Sequence, residues 1–436
     1  MKKFFAPILC SAIFIGCGGP PSTPSQNVAT PSSSSEQVQQ ELPAPTIKVY
    51  VENSGSMYGY VKGTTDFENA VYSYLSDIQL ADLGEKVANS AKNVMELNYI
   101  NSKVIKHTPD IEEFIKKLEP AEFRLRGGNM GTSDMSDILK TILSQITDNE
   151  IAIFVSDCIL SPGSKYQTKD NADEYLVSNS IGVKNNFYGK ISECQDFSVV
   201  VLRLISQFHG TYYNKFDERT TINANRPYYI WLMGSRSNLK KLMNEVDVDK
   251  IKGSGVQNIY MASKPIKSLP YGILPPPQSI GKFKPDPANT KTSILDARPI
   301  KTGGNTTFQL AIGVDFSQML LPDEYLTNPN NYSVSNDAYS LEIVKNKNTQ
   351  SSYTHILKLK LKQERIISKG MVKITLQNNM PTWVEEYTDE VGLDINSEGA
   401  MEKTYGLKYL IGGVYDAYAS NKEQENNHGV ITVNIR

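Results

Sequence analysis

The stretch IKVYVENSGSMYGYV, residues 47–61, decides how the rest of the chain is interpreted. It opens with an apolar run rich in β-branched and aromatic residues, which is typical of a strand in a sheet. The run stops at Glu52, and two hydroxyl side chains, Ser54 and Ser56, follow at alternate positions. Ligands of open α/β sheets bind just beyond the carboxyl ends of the strands. The stretch therefore predicts a first strand that leads into a polar binding site.

Two later segments place further polar side chains at the ends of predicted elements. GGNMGTSDM, which contains Thr132, precedes an amphipathic helical pattern, and the buried strand EIAIFVSD ends on Asp157. Parallel strands of one sheet bring such ends to the same rim. Carboxylates and hydroxyls are hard oxygen ligands, which suit Mg²⁺, Mn²⁺ or Ca²⁺. We therefore expect a divalent-cation site, with Mg²⁺ favoured, formed by Glu52, Ser54, Ser56, Thr132 and Asp157.

This set of residues resembles the metal-ion-dependent adhesion site (MIDAS) of the von Willebrand factor A-type (vWA) domain. The family pattern is D-x-S-x-S after the first strand, a threonine in a later loop and an aspartate after the fourth strand. The resemblance covers residues 46–263. It implies a Rossmann-like α/β domain, in which helices flank a mostly parallel sheet. It also implies that the cation keeps an open position for an acidic side chain of a protein partner.

The chain departs from the family pattern at its first position. Glu52 stands where the family has aspartate, and the extra methylene lengthens the side chain by about 1.5 Å. Glu52 could hold a water molecule of the cation, or it could ligate the cation directly. The position of the threonine also has an alternative, because Ser133 is adjacent to Thr132 and could serve in its place.

The composition divides the exported chain into three parts. Short apolar runs alternate with helical patterns over residues 46–263, which predicts a sheet covered by helices, and VMELNYI and SKVIKH are close enough to form an antiparallel edge hairpin. Residues 264–305 are rich in Pro, Gly, Ser and Lys and are expected to be a linker. Residues 306–436 contain alternating runs such as HILKLKLK, together with one helical pattern. They predict a smaller β-rich domain, a sandwich-like α+β fold.

The N-terminal residues have the pattern of an export signal. A basic MKK precedes an apolar run that is too short to span a membrane. The run ends in FIGC, which resembles a bacterial lipoprotein signal and implies cleavage after residue 16 and lipid on Cys17. An ordinary secretory signal is the alternative. Residues 17–45 are rich in Gly, Pro, Ser and Gln and are expected to be a disordered tether. Gly18 follows the cysteine, where some bacterial lipoproteins have an aspartate that signals retention in the inner membrane. The outer membrane is therefore the favoured location, and its periplasmic and surface faces both stay open.

Cysteine content and charge restrict the chemistry of the chain. If the signal is removed, Cys158 and Cys194 remain beside Cys17. They could form a disulfide in an oxidising compartment, although separate buried thiols are the more common outcome in a chain of this size. The 436 residues carry 21% charged side chains and a net charge of -2. This composition gives no reason to expect a nucleic-acid partner.

The residue patterns favour a binding protein. No G-x-S-x-G motif is present, and the three motif segments contain no histidine that could act as a general base. We therefore expect no enzymatic activity, and a lipid-anchored protein that binds a protein partner through the cation. The alternatives are a structural subunit of a cell-envelope complex with a degenerate metal site and, less favoured, a metal-dependent hydrolase.

Overall fold

The structure is a computed structural model, and it describes residues 43–86, 91–129, 131, 134–160, 162, 168–194, 196–302, 305–362, 367–420 and 426–436. The stretch IKVYVE forms an interior strand of the first sheet, as its apolar pattern predicts. The strands of this sheet are β1 (Thr46–Glu52), β2 (Met95–Ile100), β3 (Val104–Lys106), β4 (Glu150–Ser156), β5 (Phe197–Tyr213), β6 (Arg219–Ser235) and β7 (Val256–Ser263).

The first sheet is mixed, with the order β3-β2-β1-β4-β6-β5-β7. β1 runs parallel to β2 and β4, whereas the remaining neighbours are antiparallel. The expected parallel arrangement is therefore present at the centre of the sheet alone. The predicted hairpin of VMELNYI and SKVIKH is confirmed as the antiparallel pair β2 and β3. The long hairpin of β5 and β6 replaces the parallel crossover that the alternating pattern suggested.

Helices cover both faces of this sheet. They are α1 (Asp66–Leu80), α2 (Ile111–Lys116), α3 (Pro120–Leu125), α4 (Met135–Ser144), α5 (Lys169–Glu193) and α6 (Arg236–Glu245). Side chains of β4 alternate between the two apolar layers: Ile151 and Ile153 pack with α1, α2, α3 and α6, whereas Ala152 and Phe154 pack with α4 and α5. A strand buried on both faces reads as a continuous apolar run, which is why EIAIFVS was recognisable in the sequence.

The second half of the chain forms two further sheets that share one apolar core. Its elements are β8 (Tyr271–Ile273), β9 (Lys282–Pro285), β10 (Ser293–Arg298), β11 (Ile300–Thr302), β12 (Asn305–Thr307), β13 (Gln309–Val314), α7 (Asp323–Thr327), β14 (Tyr332–Val334), β15 (Tyr339–Lys345), β16 (His355–Leu361), β17 (Gly370–Gln377), α8 (Thr382–Glu386), β18 (Thr388–Asp389), β19 (Thr404–Tyr405), α9 (Leu407–Ala419) and β20 (Asn427–Ile435). Strands β14-β17-β20-β10-β9 form one sheet and β15-β16-β13-β8 the other. Leu357 and Val433 belong to the core that both sheets bury, as in a sandwich. The β-rich character expected from the alternating runs is confirmed.

Two parts of the second half differ from their expected places. Residues 264–305, expected to be a linker, contribute β8 to β11. β8 pairs with β13, β10 pairs with both β20 and β9, and β11 pairs with β12. Their strands are short and separated by turns, so the turn residues dominate the composition. The helix α9 packs against α5 on the first sheet instead of on the sandwich. Gly413 permits this approach, since a Cβ there would lie 2.6 Å from the carbonyl oxygen of Ser180.

The described residues lie in a single compact unit. Within them, no helix has both the length and the apolar character that crossing a bilayer requires. The expected signal peptide, the lipidation site Cys17 and the tether up to residue 42 lie outside the described residues.

Candidate metal site

The carboxyl ends of β1 and β4 meet at one rim of the first sheet. The two strands are adjacent and parallel, with Val51 opposite Val155. The next residues along these strands are therefore neighbours, and the Ser156 hydroxyl donates a hydrogen bond of 2.5 Å to Glu52 Oε2. Glu52 and Asp157 are 1% and 2% exposed. The two carboxylates expected at the site are thus brought to the same buried position.

The two serines join this position through a short helical turn. Ser56 begins a 3-10 turn, Ser56–Gly59, directly after β1. The turn brings the hydroxyl oxygens of Ser54 and Ser56 to 3.0 Å from each other, and the Ser56 side chain hydrogen-bonds to Asp157. Four of the five expected ligands, Glu52, Ser54, Ser56 and Asp157, are therefore neighbours. The fifth, Thr132, and the alternative Ser133 lie outside the described residues.

The electrostatics of the rim favour an added positive charge. Burial and the nearby Glu52 carboxylate raise the pKa of Asp157, and hydrogen bonds from Ser56 and the Ile159 backbone oppose this rise. Asp157 Oδ1 accepts the Ile159 N–H at 3.2 Å. Asp157 Oδ2 is buried and has no hydrogen-bond partner among the described residues. A cation bound here would offset the repulsion between the carboxylates, and a water molecule that it carries would give the unsatisfied oxygen a partner.

The side chains that meet at the rim offer oxygen atoms as donors. Within the described ranges, no group of three or more His, Cys, Asp or Glu side chains has metal-binding geometry. The rim offers two hydroxyls and two carboxylates, and oxygen donors of this kind suit Mg²⁺, Mn²⁺ or Ca²⁺. The hydrogen bond from Ser156 holds the Glu52 carboxylate. Glu52 Oε2 therefore already has a hydrogen-bond donor within the protein.

The chain leaves β4 through a strained residue. Cys158 has a φ of 55°, in the left-handed region that few residues other than glycine adopt. Its backbone N–H donates to the Ser156 hydroxyl at 2.8 Å, and Trp231 Nε1 donates to its sulfur at 3.3 Å. These bonds hold Cys158, the residue that follows Asp157, in its left-handed conformation. Cys158 and Cys194 are separate free thiols, as the favoured expectation has it, but only Cys158 is buried and Cys194 is half-buried.

A buried arginine contributes to the rim and was not anticipated from the sequence. Arg226 on β6 is 2% exposed, and its positive charge lowers the pKa of Asp157. Its Nη1 donates to the carbonyl oxygens of Ala400 and Met401 at 3.0 and 2.9 Å. These carbonyls belong to residues 387–406, which we call the rim strap. The one signal in the sequence was a charged side chain directly before the apolar run PYYIWLM.

The hairpin of β5 and β6 forms a wall of the site. Residues 205–228, which we call the rim arm, continue beyond the point where Ser156 at the end of β4 pairs with Tyr229. The arm packs on the serine turn, because a Cβ on Gly210 would lie 2.7 Å from Gly59 Cα. The Tyr60 hydroxyl also donates to the carbonyl of Pro227 at 2.5 Å. The arm was missed because its alternating polar residues resemble a loop.

No protein-family model, curated protein or solved structure matches the chain. The vWA resemblance therefore rests on the motif residues and on the rim that four of them share.

Proposed function

We propose that this protein is a binding protein that holds a divalent cation, with Mg²⁺ favoured, and uses it to bind an acidic side chain of a protein partner. The carrying observation is the pair of serine hydroxyls 3.0 Å apart, next to an Asp157 whose Oδ2 is buried without a hydrogen-bond partner among the described residues. Hydroxyls are neutral ligands, so a cation held by Ser54 and Ser56 stays electron-poor. Such a cation attracts a further carboxylate.

The residues have separate roles in this proposal. Ser54 and Ser56 contact the cation, while Asp157 and Glu52 act through water or hydrogen bonds. Thr132 would complete the set from outside the described residues. The bond from Ser156 keeps Glu52 in place, which compensates for the longer side chain at the position where vWA domains have aspartate.

The proposal places the protein in a bacterial cell envelope. Lipid on Cys17 would anchor the chain, with the outer membrane favoured and residues 17–45 as the tether. The support is the sequence pattern FIGC and the composition that follows it. A partner would then be sought among envelope or surface proteins.

A second function, a structural subunit of an envelope complex with a degenerate site, is favoured by one observation. The rim already contains a positive side chain, because Arg226 acts on Asp157. Glu52, Ser54 and Asp157 are also 1%, 4% and 2% exposed, so the cation position is deep. In this alternative, Arg226 stabilises the carboxylates and no metal binds.

Calorimetric titration of Mg²⁺, Mn²⁺ and Ca²⁺ into the metal-stripped full chain separates the two functions. The Ser54→Ala/Ser56→Ala variant removes both hydroxyl ligands. A matched control is Ser237→Ala, since Ser235 and Ser237 also have hydroxyls 3.1 Å apart but lie at the opposite end of β6. We expect one-site binding that the double variant loses and the control keeps. A folded wild-type chain that binds none of the three cations would overturn the metal mechanism in favour of the structural function.

A further inference from the structure

Two exposed arginines and two half-buried tyrosines form a row next to the candidate metal site. The Arg124 guanidinium lies 5.5 Å from the centroid of the Tyr58 ring, and that of Arg219 lies 5.7 Å from the Tyr213 ring. The two tyrosines are near enough that Tyr213 contributes to the raised pKa of Tyr58. We call Arg124, Tyr58, Tyr213 and Arg219 the arginine–tyrosine strip.

The strip includes a neighbour of the candidate ligand Ser56 and residues of two elements that pack on the serine turn. Tyr58 lies in the same 3-10 turn as Ser56. Arg124 belongs to α3, which is held to the serine loop by a hydrogen bond of 3.3 Å from Asn53 Nδ2 to the Phe123 carbonyl. Tyr213 and Arg219 belong to the two strands of the hairpin that forms the other wall. The strip therefore links α3, the serine turn and the rim arm.

The two guanidinium groups are available to an incoming anion. Arg124 and Arg219 are exposed, and within the described part of the chain neither forms an ion pair. Other arginines do have acidic partners: Arg236 pairs with Asp196 and Arg436 with Asp286. A guanidinium held over an aromatic ring is partly oriented, so less side-chain entropy is lost when it binds a carboxylate. The strip is thus arranged for carboxylate recognition.

We propose that the strip binds additional acidic side chains of the partner, so that the partner presents an acidic polypeptide segment and not a single carboxylate. This inference rests on the proposed function, in which one acidic side chain reaches the cation. Arg124 and Arg219 bind the carboxylates on either side of it. The residue next to Arg124, Leu125, is 80% exposed and offers an apolar contact to a polypeptide. The net charge of the chain, -2, gives a nucleic-acid backbone no broad electrostatic attraction, which favours a protein partner.

Two labelled peptides test the strip. Both have a glycine–serine sequence; one carries a single aspartate and the other carries three aspartates at alternate positions. Fluorescence anisotropy measures their binding to the full chain at low ionic strength, in Mg²⁺ and in EDTA. The test variant is Arg124→Gln/Arg219→Gln. The matched control, Lys284→Gln/Lys345→Gln, removes the same charge from two exposed lysines of the sandwich.

For the wild type and the control variant, we expect the three-aspartate peptide to bind roughly 5- to 10-fold more tightly than the one-aspartate peptide. The test variant should bring this ratio close to one. A ratio that the test variant leaves unchanged, or the absence of any preference in the wild type, overturns the strip proposal. Loss of binding to anionic vesicles or to a single-stranded oligonucleotide in the test variant, without loss of peptide preference, also overturns it.

Failure of the proposed function gives a different result. If the cation mechanism is wrong, the one-aspartate peptide shows no Mg²⁺-dependent binding to the wild type, the test variant or the control variant. The preference for three aspartates in EDTA then still reports on the strip, because its two guanidinium groups need no metal. Comparing peptide binding in Mg²⁺ with binding in EDTA tests the cation mechanism. Comparing the test variant with the control variant tests the arginine–tyrosine strip.

Discussion

The rim of the first sheet and the outer face of the sandwich hold their carboxylates in opposite ways. At the rim, Asp157 is buried beside Glu52, and both effects raise the pKa of Asp157. On the sandwich, Glu342 lies between Lys358 and Lys360, and their hydrogen bonds lower its pKa to about 2. The surroundings therefore destabilise the ionised form of Asp157 and stabilise the ionised form of Glu342.

The difference indicates what each region is built for. A native protein rarely buries a carboxylate oxygen without a partner, and such groups concentrate at functional sites. The sandwich pairs its surface charges and buries an apolar core, which is sufficient for stability. At the rim, burial and the charge of Glu52 make the ionised form of Asp157 unfavourable, and a bound cation would reduce this cost, which we call the electrostatic deficit of the rim. The comparison can be tested by changing the charges of each region separately.

The largest effect is expected from Arg226→Met. The change removes a buried positive charge and leaves the carbonyls of Ala400 and Met401 and the rim carboxylates uncompensated. Losing one partner of a buried charge network costs about 3–5 kcal/mol. Denaturant unfolding measures the loss, with Arg298→Met on an exposed position of β10 as the control. A loss of less than about 1 kcal/mol would show that Arg226 does not hold the rim together.

Arg226 also marks the limit of what the sequence could predict. Glu52, Ser54, Ser56 and Asp157 were found because each follows a strongly apolar strand, and parallel neighbours necessarily end on one rim. The sandwich was found from period-two alternation in runs such as HILKLKLK. Both are local patterns that a single segment displays.

The missed features depend on contacts between distant segments. Arg226 is bonded to carbonyls 174 and 175 residues later in the chain, and backbone carbonyls carry no sequence signal. The helix α9 has an apolar stripe that would suit either core, so its packing on α5 could not be read from its pattern. The strands of residues 264–305 are three to six residues long, which is too short to stand out from the turns between them.

The next effect concerns a buried histidine of the sandwich. Burial, with a smaller contribution from the charge of Arg236, lowers the pKa of His428 to about 4. The unfolded histidine takes up a proton near pH 6.5, so stability is full above that pH and is lost as the pH falls towards 4. The shift corresponds to about 3 kcal/mol.

Unfolding measured between pH 7 and pH 4 checks this pH dependence. His428→Leu should flatten the pH profile by about 3 kcal/mol relative to the wild type. Parallel profiles for the wild type and His428→Leu would show that the buried imidazole is not the source of the acid sensitivity.

A smaller effect, of opposite sign, is expected from Asp157→Asn. The raised pKa means that the ionised carboxylate costs stability, and this cost appears as the pH rises above the unfolded value near 4. Removing the charge should stabilise the metal-free chain at neutral pH by about 1–2 kcal/mol. Thermal unfolding in EDTA measures the gain, and calorimetry should show weakened Mg²⁺ binding. Destabilisation in EDTA would mean that the rim has no electrostatic deficit.

The smallest effect is expected from Glu342→Gln, which is the counterpart of Asp157→Asn in the sandwich. Lys358 Nζ lies 2.7 Å from Glu342 Oε1, and Lys360 contacts Oε2. The lowered pKa means that the ionised form stabilises the fold above the unfolded value near 4 and that this contribution is lost as the pH falls towards 2. The side chain of Glu342 is 39% exposed, so solvent screens the pair and the loss should be below about 1 kcal/mol.

Glu342→Gln and Asp157→Asn together test the comparison between the sandwich and the rim. High salt should reduce the loss in Glu342→Gln, because exposed pairs are screened, while the gain in Asp157→Asn should change little in the buried rim. Unfolding of both variants at two salt concentrations measures this. Equal salt sensitivity in both regions would mean that the rim carboxylates are as well solvated as those of the sandwich. The deficit attributed to the rim would then have no physical basis, and a cation would gain nothing from binding there.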